Sequence, residues 1–198
     1  MPIDAPPPLA DGRLPLVERL GSGASAEVWL ARDERGTELT LKIAREPKDA
    51  TALAREAMVA SLAASPRLPA LLGIATVRVS GDRAVASPDG DGRPAILLRH
   101  VPGGSLDRGR GETSPAAAAR LTHDVATALG ALHELGIAHA DIKPANVIVD
   151  PSGRAHLIDL GLAGPLGARD LQGATPRYLA RGDRDLGDAR ARDLLALG

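Results

Sequence analysis

Hydrophobic and polar positions alternate along the first half of the chain and then change period. Leu16 to Leu20, Glu27 to Arg32 and Glu38 to Ile43 are short alternating or apolar runs, separated by Gly21-Ser22-Gly23 and by Arg35-Gly36. Runs of this length between turn residues predict three antiparallel strands. From Lys48 to Ser65 the apolar positions shift to helical spacing, with Leu53, Ala57, Ala60 and Ala64 in step, and the pattern ends at Pro66. Val77 to Val79 and Ala95 to Val101 predict two further strands, joined by a polar loop from Ser80 to Pro94.

The second half is richer in helix. Ser114-Pro115 is a strong helix start, a hydroxyl cap followed by a proline in the first turn. The helix it opens runs through Leu121, Val125, Leu129 and Leu132 and stops at Gly136. Asn146 to Val149 and Ala155 to Ile158 predict a small hairpin around Asp150-Pro151-Ser152-Gly153. Residues 1 to 15, with Pro6-Pro7-Pro8 and Asp11-Gly12, predict an N-terminal tail. No internal repeat is visible.

Composition narrows the functional classes. The 198 residues carry a net charge of -1 with both signs interspersed, so no basic face points to nucleic acid and no polybasic run points to a membrane surface. The absence of cysteine removes disulfides, thiolate metal sites and cysteine nucleophiles, and the start lacks a signal peptide's charge and apolar stretch. A cytoplasmic location is the expectation. Phenylalanine is absent, so the core must rest on Leu, Val, Ile and Ala. The chain also uses few lysines, Lys42, Lys48 and Lys143, and a single asparagine, Asn146, which makes their positions informative.

Two of those rare residues fall in His139-Ala140-Asp141-Ile142-Lys143-Pro144-Ala145-Asn146, followed by Asp159-Leu160-Gly161. Asp141 is suited to orient a hydroxyl and accept its proton, and Lys143 to neutralise a transferring phosphate. Asn146 and Asp159 are hard oxygen donors for Mg. Upstream, Gly21-Ser22-Gly23 lies between two strands, where bare backbone would let anionic oxygens approach, although a glycine pair there is more often only a turn. Lys42 stands in an apolar strand and Glu56 on the following helix, where a buried lysine would need an acidic partner and the bland alternative is two solvated charges. His100, His123, His133 and His156 have no metal-ligand spacing, and a histidine metal site is not expected.

At these motifs the chain resembles the eukaryotic-like (Hanks-type) bacterial serine/threonine protein kinases, nearly collinearly from Leu20 to Gly198. The resemblance implies an α+β, two-lobed kinase-like fold. An antiparallel-sheet N-lobe with one helix would span 16–101 and a partial helical C-lobe 102–198. It implies Asp141 as the catalytic aspartate, with Lys143, Lys42 and Glu56 in the catalytic set. It further implies ATP bound at Gly21, Ser22, Gly23, Ala24, Val28, Thr40, Lys42, Leu98, Arg99 and Val101. Mg2+, or Mn2+, would sit on Asn146 and Asp159. The acceptor would be a serine or threonine hydroxyl of a protein substrate, with no nucleic acid and no membrane contact. Thr175-Pro176-Arg177-Tyr178-Leu179-Ala180 resembles the substrate-facing loop, and Lys143-Pro144 resembles the serine/threonine rather than the tyrosine branch. In the family the histidine at His139 packs structurally, which favours Asp141 over His139 as the base.

Departures from the pattern set the alternatives. Ala26 replaces the usual third glycine, Leu160 the usual phenylalanine, and Ala140 the arginine that reads a phosphorylated activation loop, which implies activity independent of such phosphorylation. Arg181-Gly182 stands where proline and glutamate are usual, and Asp193 to Gly198 looks like the opening of the family's central C-lobe helix. The expectation is a C-terminally truncated catalytic domain with feeble transfer by itself. The alternatives are a catalytically impaired pseudokinase that binds ATP as a regulatory module, and a small-molecule phosphotransferase of the aminoglycoside-kinase type.

Overall fold

The computed structural model describes residues 13–23, 25–87, 91–109, 114–167 and 189–196. Its contacts divide the chain into two units, one of Met1–Ala57 with Ala70–His100 and one of Met58–Pro69 with Val101–Gly198. Among the described residues no helix is long and apolar enough to cross a membrane.

The first unit is built on β1 (Arg13–Ser22), β2 (Ala26–Arg32), β3 (Glu38–Ala44), β4 (Leu71–Ser80), β5 (Arg83–Ala86) and β6 (Arg93–Arg99). Helix α1 (Ala50–Leu62) follows β3 after a 3-10 turn at Pro47–Asp49. The strands pair in the order β1-β2-β3-β6-β4-β5, and β5 returns to β1 through Arg13↔Val85, Leu14↔Ala84 and Pro15↔Arg83. Two expectations change here. The stretch Ser80 to Pro94, read as a polar loop, contains β5, and β1 begins inside the stretch read as tail. Both changes have one cause. Arg83–Ala86 is a short apolar run within polar flanks and becomes a strand by pairing with β4 and β1, which also orders Arg13 to Pro15.

Alternation gives this sheet two distinct faces. Leu39, Leu41 and Ile43 of β3 point into a buried cluster with Leu14, Leu16, Ala31, Val77, Ala84, Ala95 and Leu97. Thr40 and Lys42 therefore point the other way. Directly opposite residues share a face, so the register Val28↔Lys42↔Ile96 and Leu30↔Thr40↔Leu98 sets two cross-strand rows side by side. Lys42 is fixed on the second face by the burial of its own strand neighbours.

The second unit holds β7 (Gly104–Ser105), α2 (Pro115–Glu134), β8 (Ile137–Ala138), β9 (Val147–Val149), β10 (Ala155–Leu157), β11 (Gly164–Pro165) and α3 (Ala189–Ala196). The Ser114 side chain accepts from Ala117 N at 3.3 Å, Pro115 occupies the first turn, and Gly136 closes the helix with φ +74°. That is the start and stop expected for α2. Its buried stripe of Val125, Ala128, Leu129 and Leu132 also includes a carboxylate, Asp124. Strands β10, β9 and β7 form a small sheet in that order, and β11 pairs with β8.

Gly103, just before β7, has φ +124°, and a Cβ there would lie 2.1 Å from Val149 O and 2.9 Å from Val149 C. Only glycine lets this backbone approach β9 so closely. Gly103→Ala is expected to destabilise the second unit by roughly 2 kcal/mol or more, because strain and a backbone clash add. Denaturant unfolding followed by circular dichroism measures it, with Gly104→Ala as control, since a Cβ at Gly104 meets nothing within 4 Å.

Candidate active site

The site residues of the first unit converge on the second face of its sheet. Lys42 Nζ donates to both carboxylate oxygens of Glu56, at 2.7 and 2.9 Å, and both residues are buried, with 7% and 2% exposure. The pair expected from sequence thus forms as a two-pronged, charge-assisted contact. Val28, opposite Lys42, and Leu98, opposite Thr40, lie on the same face. Thr40 Oγ1 lies 3.1 Å from His100 Nδ1, a contact that ties β3 to the residue after β6 and that no local pattern announced. Burial lowers the His100 pKa, against an opposing pull from Glu38, and this favours a neutral ring. Arg99 closes β6, and Val101 is the first residue of the second unit's later segment.

Gly21 and Ser22 pair with Val28 and Glu27, and Gly23 N donates to Ala26 O at 2.9 Å, so the glycine stretch is a tight β1–β2 connection; Ala24 lies outside the described residues. Neither glycine is demanded by its own fold. A Cβ on Gly21 would meet nothing within 4 Å, and one on Gly23 only Ala26 O at 3.8 Å, and neither has positive φ. What the glycines leave is bare, approachable backbone, a fitting cradle for anionic oxygens.

In the second unit the stretch His139 to Ile142 is buried and largely irregular, so its N–H groups need acceptors. Asp193 on α3 supplies two. Its Oδ2 accepts from His139 N at 2.8 Å and its Oδ1 from Ala140 N at 2.9 Å, while His133 Nε2 donates to Oδ2 at 3.0 Å. This grip holds Ala140 in the left-handed region at φ +69°, where an alanine is strained. His139 is fully buried, and its Nδ1 accepts from Asp141 N at 3.2 Å, which requires the proton on Nε2, 3.1 Å from Ile158 O. Burial also lowers its pKa, outweighing the opposing pull of Asp193. With both nitrogens committed, His139 has no free lone pair for catalysis.

Asp141 is held next. Lys143 Nζ lies 2.6 Å from Asp141 Oδ2, and Asn146 Nδ2 donates to the same oxygen and to the Asp141 carbonyl, each at 2.9 Å. Asn146 thereby spends its amide protons and keeps its carbonyl oxygen for another role. The hairpin register Val147↔Leu157 continues one step further, with Ile158 N donating to Asn146 O at 2.9 Å. That step sets Asn146 beside the residue that precedes Asp159. Asp159 itself has φ +69° and ψ 74°, which turns the chain out of the strand into the 3-10 turn Leu160–Leu162. Leu160, the residue in the usual phenylalanine's place, is fully buried.

Of the residues expected to matter, the structure brings Lys42 with Glu56, and Asp141 with Lys143 and Asn146. Thr175 to Ala180 and Arg181-Gly182 lie outside the described residues. Sequence reasoning missed Asp193, which it saw only as part of a helix opening, and also Asp124 and His100.

The sequence matches the protein kinase domain family over residues 15–181, and the chain belongs to that family. It is 33% identical over 171 residues to a probable serine/threonine-protein kinase PknB of Bifidobacterium longum, covering 82% of this chain and 24% of the relative. It is 32% identical over 213 residues to the DNA damage-responsive serine/threonine-protein kinase RqkA of Deinococcus radiodurans, covering 100% of this chain and 30% of the relative. A serine/threonine-protein kinase PknB of Mycobacterium leprae is 30% identical over 170 residues, with 81% and 26% covered. The chain thus spans about a quarter to a third of the length of these curated relatives.

Membership implies ATP as substrate and a divalent cation as cofactor. The donor set fits such a cation. Among the described residues no cluster of three or more His, Cys, Asp or Glu is placed to hold a metal. The Asn146 amide oxygen and the Asp159 carboxylate are hard oxygen donors of the kind a small divalent ion takes, one or two at a time, when phosphate and water complete its shell.

The buried Lys42–Glu56 pair yields a stability prediction. Glu56→Leu takes away the two-pronged partner of a buried ammonium and is expected to cost roughly 3 kcal/mol, whereas Lys42→Met/Glu56→Leu, which removes both charges, is expected to cost clearly less than the sum of the Lys42→Met and Glu56→Leu singles. Urea unfolding of the singles and the double measures the coupling; additive costs would contradict it.

Proposed function

We propose that this chain carries the catalytic machinery of an ATP-dependent serine/threonine protein kinase, transferring the terminal phosphoryl group of ATP to a serine or threonine hydroxyl of a protein substrate. The observation that carries the reading is Asp141, whose carboxylate is fixed by Lys143 and Asn146 while the hairpin sets Asn146 next to the approach to Asp159. In the reaction the acceptor oxygen bonds to the γ-phosphorus and the bond to the β,γ-bridging oxygen breaks. ADP leaves, and the hydroxyl proton passes to Asp141. Lys143, paired with Asp141, would neutralise charge on the transferring group.

Asn146 and Asp159 would hold the divalent ion, taken to be Mg2+ with Mn2+ as substitute; when bound it neutralises phosphate charge. Lys42, oriented by Glu56, takes an ATP phosphate. Gly21, Ser22 and Gly23 offer backbone N–H groups to the phosphates, and Val28, Thr40 and Leu98 form the apolar face for the nucleobase. The names of the relatives support a protein hydroxyl as acceptor over a small molecule. Cytoplasmic location follows from the need for ATP and agrees with a chain that uses no cysteine.

Transfer from labelled ATP to a generic protein substrate tests the reading. Asp141→Asn is expected to lower kcat by roughly a hundredfold or more with little change in the KM for ATP. Wild-type protein that binds ATP without transferring it would favour the regulatory-module alternative instead. Gly23→Ala gives a second handle. It is expected to raise the KM for ATP several-fold and to leave the melting temperature unchanged, because the fold has room for the methyl group.

A further inference from the structure

Asp124 is 1% exposed in the middle of α2 and has no place in the chemistry above, yet it gathers an unusual number of donors. Arg154 grips it with a fork, Nη2 to Oδ1 at 2.6 Å and Nε to Oδ2 at 2.8 Å. Ala155 N donates to Oδ2 at 3.0 Å, and Arg67 Nε lies 3.4 Å from Oδ1. The fork holds the Asp124 carboxyl down to about 2 in spite of burial, with help from the Ala155 N–H and the Arg67 charge, so it is ionised at any working pH.

The consequence lies in what these donors belong to. Among the described residues β10 pairs with β9 alone, so the N–H groups of Ala155 and Leu157 point away from the sheet and need acceptors from elsewhere. Ala155 finds Asp124, and Leu157 N donates to the Arg67 carbonyl at 2.9 Å. Arg67 thus touches both Asp124 through its side chain and β10 through its backbone. Together Asp124 and Arg67 clamp the outer edge of the strand, and Asp159 follows the end of that strand by two residues. The inner edge, through Ile158 N to Asn146 O, aligns the same strand with the other metal-ligand candidate.

We propose that Asp124 is a positioning residue for the divalent cation. It fixes the register of β10 and so the place of the Asp159 carboxylate relative to Asn146. The inference rests on the reading of Asp159 as a metal ligand. Partners that hydrogen-bond a metal ligand directly typically account for ten- to a hundredfold in metal affinity, and Asp124, acting through the strand, is placed at the lower end of that range.

The test is Mn2+ binding to the full chain in the presence of saturating ADP, read by electron paramagnetic resonance of the free ion. ADP affinity in EDTA and the melting temperature are measured alongside. Asp124→Asn is expected to weaken Mn2+ binding roughly tenfold while metal-free ADP affinity stays within about twofold. Arg154→Gln, at a side chain 40% exposed and therefore mild for folding, is expected to shift Mn2+ binding in the same direction by less, and Arg154→Lys to recover part of the loss. Asp159→Asn separates the two levels of the claim. If it leaves Mn2+ binding unchanged, the metal-ligand reading fails and the inference with it. If Asp159→Asn abolishes binding while Asp124→Asn and Arg154→Gln lower only the melting temperature, Asp124 is an ordinary fold ion pair and the proposal is overturned. Should Asp124→Asn not fold, Arg154→Gln decides in the same way.

Discussion

A buried segment without regular structure has to find an acceptor for each backbone N–H, and the segment around Asp141 finds them in a carboxylate more than fifty residues downstream. Asp193 accepts from both His139 and Ala140, and the path of the chain into Asp141 starts from that grip. It keeps Ala140 in a conformation an alanine would otherwise leave, which turns the chain so that Asp141 N meets the His139 ring. It orients Asp141 toward Lys143 and Asn146, and through Asn146 it reaches the hairpin. A carboxyl side chain suits this task because its two oxygens accept several bonds at once.

The parts of this arrangement that were legible in the sequence are those written in local patterns. The alternation across Glu38 to Ile43 placed Leu39, Leu41 and Ile43 on one face and left Lys42 facing the other, where the structure finds it with Glu56. Ser114-Pro115 and Gly136 bounded α2, and Asp150 to Gly153 marked the turn that brings Asn146 and Ile158 together. What could not be read is what depends on distant partners. Asp193 and Asp124 look like ordinary helix charges in a linear reading, since nothing in a carboxylate's neighbours announces that it will accept from backbone fifty or thirty residues away. The strand Arg83–Ala86 was hidden for the same reason: its pairing with β1 joins residues about seventy apart, and its four residues are lost between polar Gly/Asp/Pro flanks.

The absence of phenylalanine shapes how the core is filled. Among the described residues Leu41, Ile43, Ile96, Leu129, Leu132, Leu157 and Leu160 are the largest fully buried apolar side chains. Branched aliphatics of nearly one volume interlock through shape and leave little room for a change of size without a cavity or an overlap. Leu160 is the telling case. It sits fully buried one residue after Asp159, so the backbone that turns Asp159 out of its strand is anchored by packing on one side and by the hairpin on the other.

The ring of His139 has a consequence for which side chains this position accepts. It receives a proton on one edge, from the Asp141 amide, and gives one on the opposite edge, to the Ile158 carbonyl, while lying wholly out of solvent. Asparagine and glutamine also own a donor and an acceptor, but both sit at the same tip; serine, threonine and tyrosine fold the two functions into one atom. Only a flat ring with nitrogens facing apart bridges the two strands of chain in a single span. A substitution at this position therefore gives up one of the two contacts or rebuilds it by moving the chain.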